Sequence, residues 1–134
     1  MVCLYCGGQT YVTNSREQKR LGHIWRRRAC KRCGAVFTTI ESADLSLSLS
    51  ISHSNGQIEP FNRDTLFISL VQALGHRSDA IEAASALAAT TIARLLKTRP
   101  GASIEVAALR AAAHSTLQRF DKVAAISYAA YHKA

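Results

Sequence analysis

Two short motifs, "CLYCGG" beginning at Cys3 and "CKRCGA" beginning at Cys30, constrain this chain more than any other feature. Each is a Cys-x-x-Cys turn followed by glycine, and 23 residues lie between them. Such a turn aims two thiolates at one point and points backbone amides at the sulfurs, so two of them build a tetrahedral four-thiolate site. The spacing predicts structural zinc held by Cys3, Cys6, Cys30 and Cys33, with a short hairpin between the pairs. A closed four-thiolate site has no open coordination position, which makes the metal structural rather than catalytic. The alternatives are two disulfides or a redox dithiol. A redox pair would open a helix in a thioredoxin-like unit, and neither pair has that setting. Zinc also supplies folding free energy that a segment with few large apolar side chains lacks.

Charge is concentrated beside the second motif. Residues 1–41 carry eight basic and two acidic side chains, against nine and seven in residues 42–134. The stretch "WRRRACKRCGAVFTT" places Arg26, Arg27 and Arg28 directly before the second cysteine pair, with Lys31 and Arg32 inside it. A basic cluster fixed by a metal knuckle suits phosphate contacts, and bidentate guanine contacts where arginine reaches a groove. Nucleic acid is the first polyanion to expect and an anionic membrane surface the second. Trp25 can stack on a base or sugar or cap the small module, and the sequence leaves both open.

No apolar run approaches the roughly 20 residues that span a bilayer. The start "MVCLYCGG" lacks a basic segment leading into a signal core. A cytosolic chain with no membrane partner is expected, and in a reducing cytosol four cysteines call for metal rather than disulfides.

From Asp44 the text becomes "DLSLSLSISHSNGQIEPF". Alternation puts Leu45, Leu47, Leu49 and Ile51 on one face of a half-buried strand, and Asn55-Gly56 predicts a two-residue hairpin turn back toward Ile58. Helical signals follow. Asn62 can cap a first helix carrying Leu66, Leu70 and Leu74, with Gly75 as its stop. Ser78 or Asp79 opens a second, running to about Thr98 with Ile81, Ala88, Ile92 and Leu95 inward, and Pro100-Gly101 ends it. Ser103 can cap a third, with Val106, Leu109, Ala113 and Leu117 inward. Asp121 can cap a fourth, with Val123, Ile126 and Ala130 inward. The fold class is α+β: a zinc ribbon over 1–43, then a mainly helical domain over 44–134 built from a β-hairpin and about four helices.

His23, His53, His76, His114 and His132 show no metal-ligand spacing. The chain has no Walker loop, no Gly-x-Ser-x-Gly and no paired catalytic carboxylates at helical spacing, so an enzyme is not expected.

The stretches "CLYCG", "RRRACKRCGAVFTTIE", "NGQIEPFNRDTL" and "FDKVAAISYAAYHK" resemble the NrdR family of bacterial transcriptional repressors over nearly the whole chain. The resemblance implies a DNA-binding zinc ribbon followed by an ATP-cone domain that senses ATP and dATP and changes oligomeric state. It implies double-stranded operator boxes upstream of ribonucleotide reductase genes as partner, a homo-oligomer, and a cytoplasmic, nucleoid-associated location in bacteria. On the ribbon it implies Arg16, Trp25, Arg26, Arg27, Arg28, Lys31 and Arg32 as DNA-binding positions, Trp25 standing where the family has the first of four arginines. On the cone it implies Ile51, His53, Ser54, Glu59 and Thr65 as the nucleotide site, with Ile51 and Glu59 facing the adenine. Three of these depart from the family: His53 and Ser54 replace a Lys-Arg or Lys-Lys pair, and Thr65 replaces a phosphate-binding lysine. Ala125 and Ser127 replace a tyrosine and an arginine in the last helix.

A repressor of this kind is the leading reading, with the cone either sensing nucleotide or serving assembly alone. A zinc-ribbon nucleic-acid adaptor with a helical interaction domain that no longer binds nucleotide is the second, and a thiol-exchange enzyme the third.

Overall fold

The computed structural model describes residues 1–98 and 101–132. They divide into two compact units, Met1–Ala43 and Asp44–Ala134. In the first unit, β1 (Thr10–Gln18), β2 (His23–Cys30) and β3 (Val36–Ser42) form an antiparallel sheet in the order β1-β2-β3. The segment between the cysteine pairs is thus a hairpin, and the chain beyond Cys33 returns as a third strand. Register shifts between Val12 and Asn14, leaving Thr13 as the extra residue of a bulge. At the β1–β2 turn, Gly22 takes φ 66°, a left-handed conformation that costs glycine nothing.

The second unit begins differently from the alternating strand predicted from Asp44. Residues Leu45–Ser48 form a short helix, α1, and the strand β4 is only Ser50–Ser52. The Asp44 side chain accepts a hydrogen bond from the Ser46 amide at 3.0 Å, and that cap wins over alternation across one turn. Leu47 consequently lies outside at 87 % exposure. Strand β4 pairs antiparallel with β5 (Ile58–Pro60), but the turn is not the two-residue form. The His53 amide donates to Gln57 O at 2.8 Å, which leaves Ser54, Asn55 and Gly56 as the loop. Only Gly56 there has positive φ, 84°, whereas a two-residue Asn-Gly turn needs it at both positions. Pro60 is tolerated because β5 is an edge strand.

Helix α2 (Arg63–Ala73) starts where Asn62 predicted it: the Asn62 Oδ1 accepts from the Asp64 and Thr65 amides at 2.9 and 3.2 Å. Leu66, Leu70 and Leu74 are all buried. Helix α3 (Ala80–Thr98) follows; Pro100, one of its predicted stop residues, lies outside the described residues. Ser103 does not cap a helix. It opens β6 (Ser103–Glu105), which pairs parallel with β4, matching Ile51 to Ile104. Helix α4 (Val106–Phe120) then starts directly from that strand, with no side-chain cap. Asp121 does cap α5 (Lys122–Tyr131), accepting from the Ala124 amide at 3.0 Å.

The core of this unit is Leu70, Leu74, Ile104 and Leu117, ringed by Phe61, Leu87, Leu95 and Tyr128. Helix α3 keeps most of its predicted face, with Ala88 and Leu95 buried and Ile92 packed against the core, and only Ile81 misses; α5 is rotated. Ile81 is 67 % exposed while α3 buries Ala84, Leu87, Ala88, Thr91 and Leu95. In α5, Val123, Ile126 and Ala130 lie outside and Ala124, Ala125 and Tyr128 lie inside. Alanines let the backbones approach closely, and in that space larger aliphatic side chains would clash.

One polar cluster ties the α2–α3 connection to the α4–α5 junction. Arg77 makes a bidentate pair with Asp79 at 2.8 and 3.0 Å, reaches Asp121 at 3.2 Å, and lies over the Phe120 ring at 4.9 Å. His76 Nε2 lies 3.0 Å from the same Asp121 oxygen. The Ala124 amide, then His76 and Arg77, hold the Asp121 carboxyl down at about 2 against the opposing effect of burial.

A carboxyl depressed in this way stabilises the fold fully above its ordinary value of 3.8, and that contribution is lost as pH falls toward about 2. Thermal melts stepped down through this window should show residues 44–134 losing stability, and Asp121→Asn should flatten that part of the curve. Leu70→Ala, which empties the centre of the core, should cost about 2–5 kcal/mol in the same melts and leave the zinc content unchanged.

Candidate metal centre and nucleic-acid interface

The four cysteine side chains converge. Cys3, Cys6, Cys30 and Cys33 bring their sulfurs within 4.8 Å of one another, with Cys3–Cys33 at 3.8 Å and Cys6–Cys30 at 3.5 Å. Four sulfurs bound tetrahedrally to one zinc at about 2.3 Å lie about 3.8 Å apart, so the donor set fits that ion. The cysteines are free thiols, which removes the disulfide alternative from this arrangement.

The local chain explains the convergence. Gly7 and Gly34 follow the two pairs at φ 69° and 71°, and their amides bond back to Cys3 O and Cys30 O at 3.0 and 3.1 Å. These turns leave further amides aimed at sulfur: Tyr5 on Cys3 and Gly8 on Cys6, both at 3.4 Å, and Arg32 on Cys30 at 3.3 Å. Gly8 has a second constraint. A Cβ there would sit 3.0 Å from the Arg32 Cβ and 3.2 Å from the Cys6 sulfur, so any larger residue would push the two turns apart by a few tenths of an ångström. The amides of Cys33 and Arg32 and the neighbouring sulfurs pull the Cys30 thiol down to about 6 although burial opposes them. At Cys33 the Ala35 amide pulls down, but the other three sulfurs and burial outweigh it and lift the thiol to about 11. Four crowded sulfurs cannot all ionise without a cation among them, and a divalent metal supplies one.

Beneath the sulfurs, Phe37 is the large buried side chain, packed with Cys3 and Cys30. The basic residues radiate from there. Arg26, Arg27 and Arg28 sit consecutively on the central strand β2, and alternation sends them to opposite faces of the sheet. Arg26 pairs with Glu41 at 3.0 Å, and its Nε is buried with no hydrogen-bond partner among the described residues. Arg28 Nε donates to Thr39 Oγ1 at 3.1 Å. Arg27 is exposed. Arg16 on β1 stands opposite the half-buried Trp25 in the β1–β2 register. Lys31 and Arg32 are exposed in the second cysteine turn, where Lys31 Nζ reaches Gln9 Oε1 at 3.4 Å.

The residues that the resemblance assigns to nucleotide are arranged as follows. Ile51 is core, 4 % exposed, between Glu59 and Ile104. His53 Nε2 contacts Glu59 Oε1 at 2.8 Å across the hairpin. Ser54 lies in the turn, and Thr65 in the exposed first turn of α2. The structure therefore pairs His53, where the resemblance implies a cation, with Glu59, where it implies an adenine contact. Sequence reasoning did not find the His53–Glu59 contact, although residues flanking a tight turn are the ones a hairpin brings together.

A four-thiolate centre carrying a three-stranded sheet makes residues 1–43 a zinc ribbon. The model of the NrdR-like transcriptional repressor N-terminal domain matches residues 1–41. Among similar proteins, the transcriptional repressor NrdR of Symbiobacterium thermophilum is 30% identical over 133 residues, covering 99% of this chain and 87% of that protein. Those of Methylobacterium sp. and Rhodospirillum centenum are each 34% identical and cover 99% of this chain, spanning 71% and 86% of their own lengths. The chain belongs to the NrdR family of transcriptional repressors, which are not enzymes. No helix among the described residues is long and apolar enough to cross a membrane.

Freshly purified, reduced protein should contain one zinc per chain by elemental analysis. Cys30→Ser should abolish that zinc and unfold residues 1–43 while the helical signal of residues 44–134 persists, because only the first unit draws its stability from the metal. Acidification should release the zinc as the thiolates regain protons.

Proposed function

We propose that this chain is a zinc-dependent repressor that binds double-stranded operator boxes upstream of ribonucleotide reductase genes, acting in the bacterial cytoplasm on the nucleoid. The observation that carries the reading is the four-cysteine ribbon bearing an arginine-rich sheet in a chain that belongs to this family. Zinc bound by Cys3, Cys6, Cys30 and Cys33 holds the sheet, and the basic side chains around it make the phosphate contacts.

Residues 44–134 serve assembly in this reading. Val123 and Ile126 on α5 are 60 % and 72 % exposed and lie opposite the face that packs the core. Two copies joined through such faces would read repeated half-sites, which a single ribbon is too small to select alone. Effector binding is weak. Ser54 and Thr65 carry no charge, His53 is engaged by Glu59, and Arg63 is turned toward Ser85 on α3, with Nη2 at 3.4 Å from its carbonyl. A triphosphate that finds no cation forgoes charge-assisted hydrogen bonds worth about 1.5–3 kcal/mol each.

The test of the repressor reading is competition between a promoter duplex and its separated strands. Preferential, salt-dependent binding of duplex is expected, while a preference for single strands would favour the nucleic-acid adaptor instead. Calorimetry with ATP and dATP, paired with light scattering, should give binding much weaker than micromolar and little change in mass. Micromolar binding with a change in mass would restore the nucleotide-sensing cone. The triple substitution His53→Lys, Ser54→Arg, Thr65→Lys should raise nucleotide affinity.

A further inference from the structure

The four cysteines of the metal centre are unequally sheltered. Cys3 and Cys30 are 3 % and 4 % exposed and Cys6 is half-buried, whereas Cys33 is exposed. The chain around them repeats that asymmetry. At Gly8 the two turns meet so closely that an added Cβ would crowd the Arg32 Cβ and the sulfurs of Cys6 and Cys30, but at Gly34, directly after Cys33, it would meet open space. The first turn carries the apolar side chains of Leu4 and Tyr5, the second the exposed cations Lys31 and Arg32. Amides also hold the sulfurs unequally. Cys30 accepts from the Arg32 and Cys33 amides at 3.3 and 3.5 Å, while Cys3 accepts from the Tyr5 amide at 3.4 Å and has the Cys33 sulfur 3.8 Å away on the other turn.

We propose that Cys33 is an oxidation site, attacked first by peroxide, and that it closes a disulfide with Cys3 that ejects the zinc and so releases the ribbon from DNA. The release from DNA rests on the repressor reading; the sulfur chemistry does not. Susceptibility to oxidation follows thiolate character and exposure. All four ligands of a bound zinc are thiolates, so exposure is what separates them, and it singles out Cys33. The Cys33 sulfur attacks one oxygen of hydrogen peroxide: the S–O bond forms, the O–O bond breaks, and the product is a sulfenic acid with one hydroxide expelled. The Cys3 thiolate then attacks that sulfur, forming the S–S bond and expelling the second hydroxide. Two thiolates and one peroxide thus become one disulfide and two hydroxides, the sulfurs giving up the two electrons that the peroxide takes. Lys31 and Arg32 put positive charge on the turn where those hydroxides form. Cys6 and Cys30 are then the remaining ligands, half of the set that a closed four-thiolate site needs. With so small a buried cluster, the ribbon loses its order when the metal leaves, even though one crosslink between the turns remains. Thiol reductant returns both sulfurs to thiolates, so the change reverses once reduced thiols and zinc are restored.

The experiment uses the zinc-loaded full chain. A substoichiometric dose of iodoacetamide, followed by peptide mapping, should label Cys33 ahead of the other three cysteines. Hydrogen peroxide, titrated with a chromogenic zinc chelator present, should release zinc in step with a mass loss of two hydrogens. The digest should then contain a peptide crosslinked between Cys3 and Cys33, with Cys6 and Cys30 still open to alkylation. Anisotropy of a labelled promoter duplex should show binding lost in proportion to the zinc released, and regained after dithiothreitol and zinc. Cys33→His keeps three thiolates and gains an imidazole, a donor set that holds zinc, and should lose it to peroxide more slowly than wild type; Cys6→His, with the same donors, should lose it at the wild-type rate.

Labelling led by Cys6, or spread evenly over the four cysteines, would overturn the proposal. A disulfide joining Cys30 to Cys33, or zinc loss from Cys33→His as fast as from wild type, would do the same. If zinc leaves and the crosslink forms while duplex affinity is unchanged, the centre is no switch for DNA binding. Reduced, zinc-loaded protein that binds no duplex at low salt would bring down the repressor reading, and the labelling and crosslink would still decide the sulfur chemistry.

Discussion

Four thiolates brought within 4.8 Å of one another would repel, and a divalent cation at their centre turns that repulsion into the strongest attraction in the ribbon. Everything in residues 1–43 depends on it. The buried cluster there consists of Cys3, Cys30 and Phe37, far too little apolar surface to hold three strands by itself. The metal ties the turn before β1 to the turn between β2 and β3, register then carries the order along the sheet, and register decides which arginines meet solvent and which meet a carboxylate. The chemistry of one ion thus reaches the charge pattern of a surface well away from it.

The second unit is organised by a different force. Its interior is aliphatic and alanine-rich, and its buried hydroxyls are satisfied locally, as where Thr91 Oγ1 donates to Leu87 O at 2.8 Å. Polar specificity enters at one junction, where Asp121 simultaneously caps α5 and receives Arg77 and His76. A carboxylate that satisfies a helix end and an arginine together fixes where α4 stops and α5 starts, and so the angle at which the last helix meets the core.

What could be read from the sequence was whatever depended on short-range chemistry. The cysteine turns declare themselves because ligand geometry is set within four residues, and Asn62 and Asp121 because a cap acts on amides two or three positions away. What depended on packing was hidden. The leucine–serine alternation after Asp44 looks like a strand, but a single capping bond at Ser46 converts its start to a helical turn. Ser103 looks like a cap, and only the presence of β4, brought near by the intervening helices, makes it a strand residue. Val123 and Ile126 look like core residues by periodicity, yet α5 packs through Ala124, Ala125 and Tyr128, the alanines letting its backbone approach closely, and Ile81 at the start of α3 likewise faces outward. The division of Arg26, Arg27 and Arg28 between two faces follows from simple alternation once β2 is recognised as a strand; the identity of the carboxylates opposing them needed the third strand.

The parallel pairing of β4 with β6 has a kinetic consequence. Ser50 Oγ donates to Ala102 O across 52 residues of chain, and the whole of α2 and α3 lies inside that loop. The β4–β5 hairpin is local and can form at once, but its other edge waits until the enclosed helices have compacted and paid the loop-closure entropy. Until then β4 presents an unpaired edge, open to the same strand of another molecule. During synthesis, this unit is therefore exposed to misassembly from the emergence of Ser50 until Glu105 has left the ribosome and docked, a window that does not exist for the ribbon once Cys33 has met its metal.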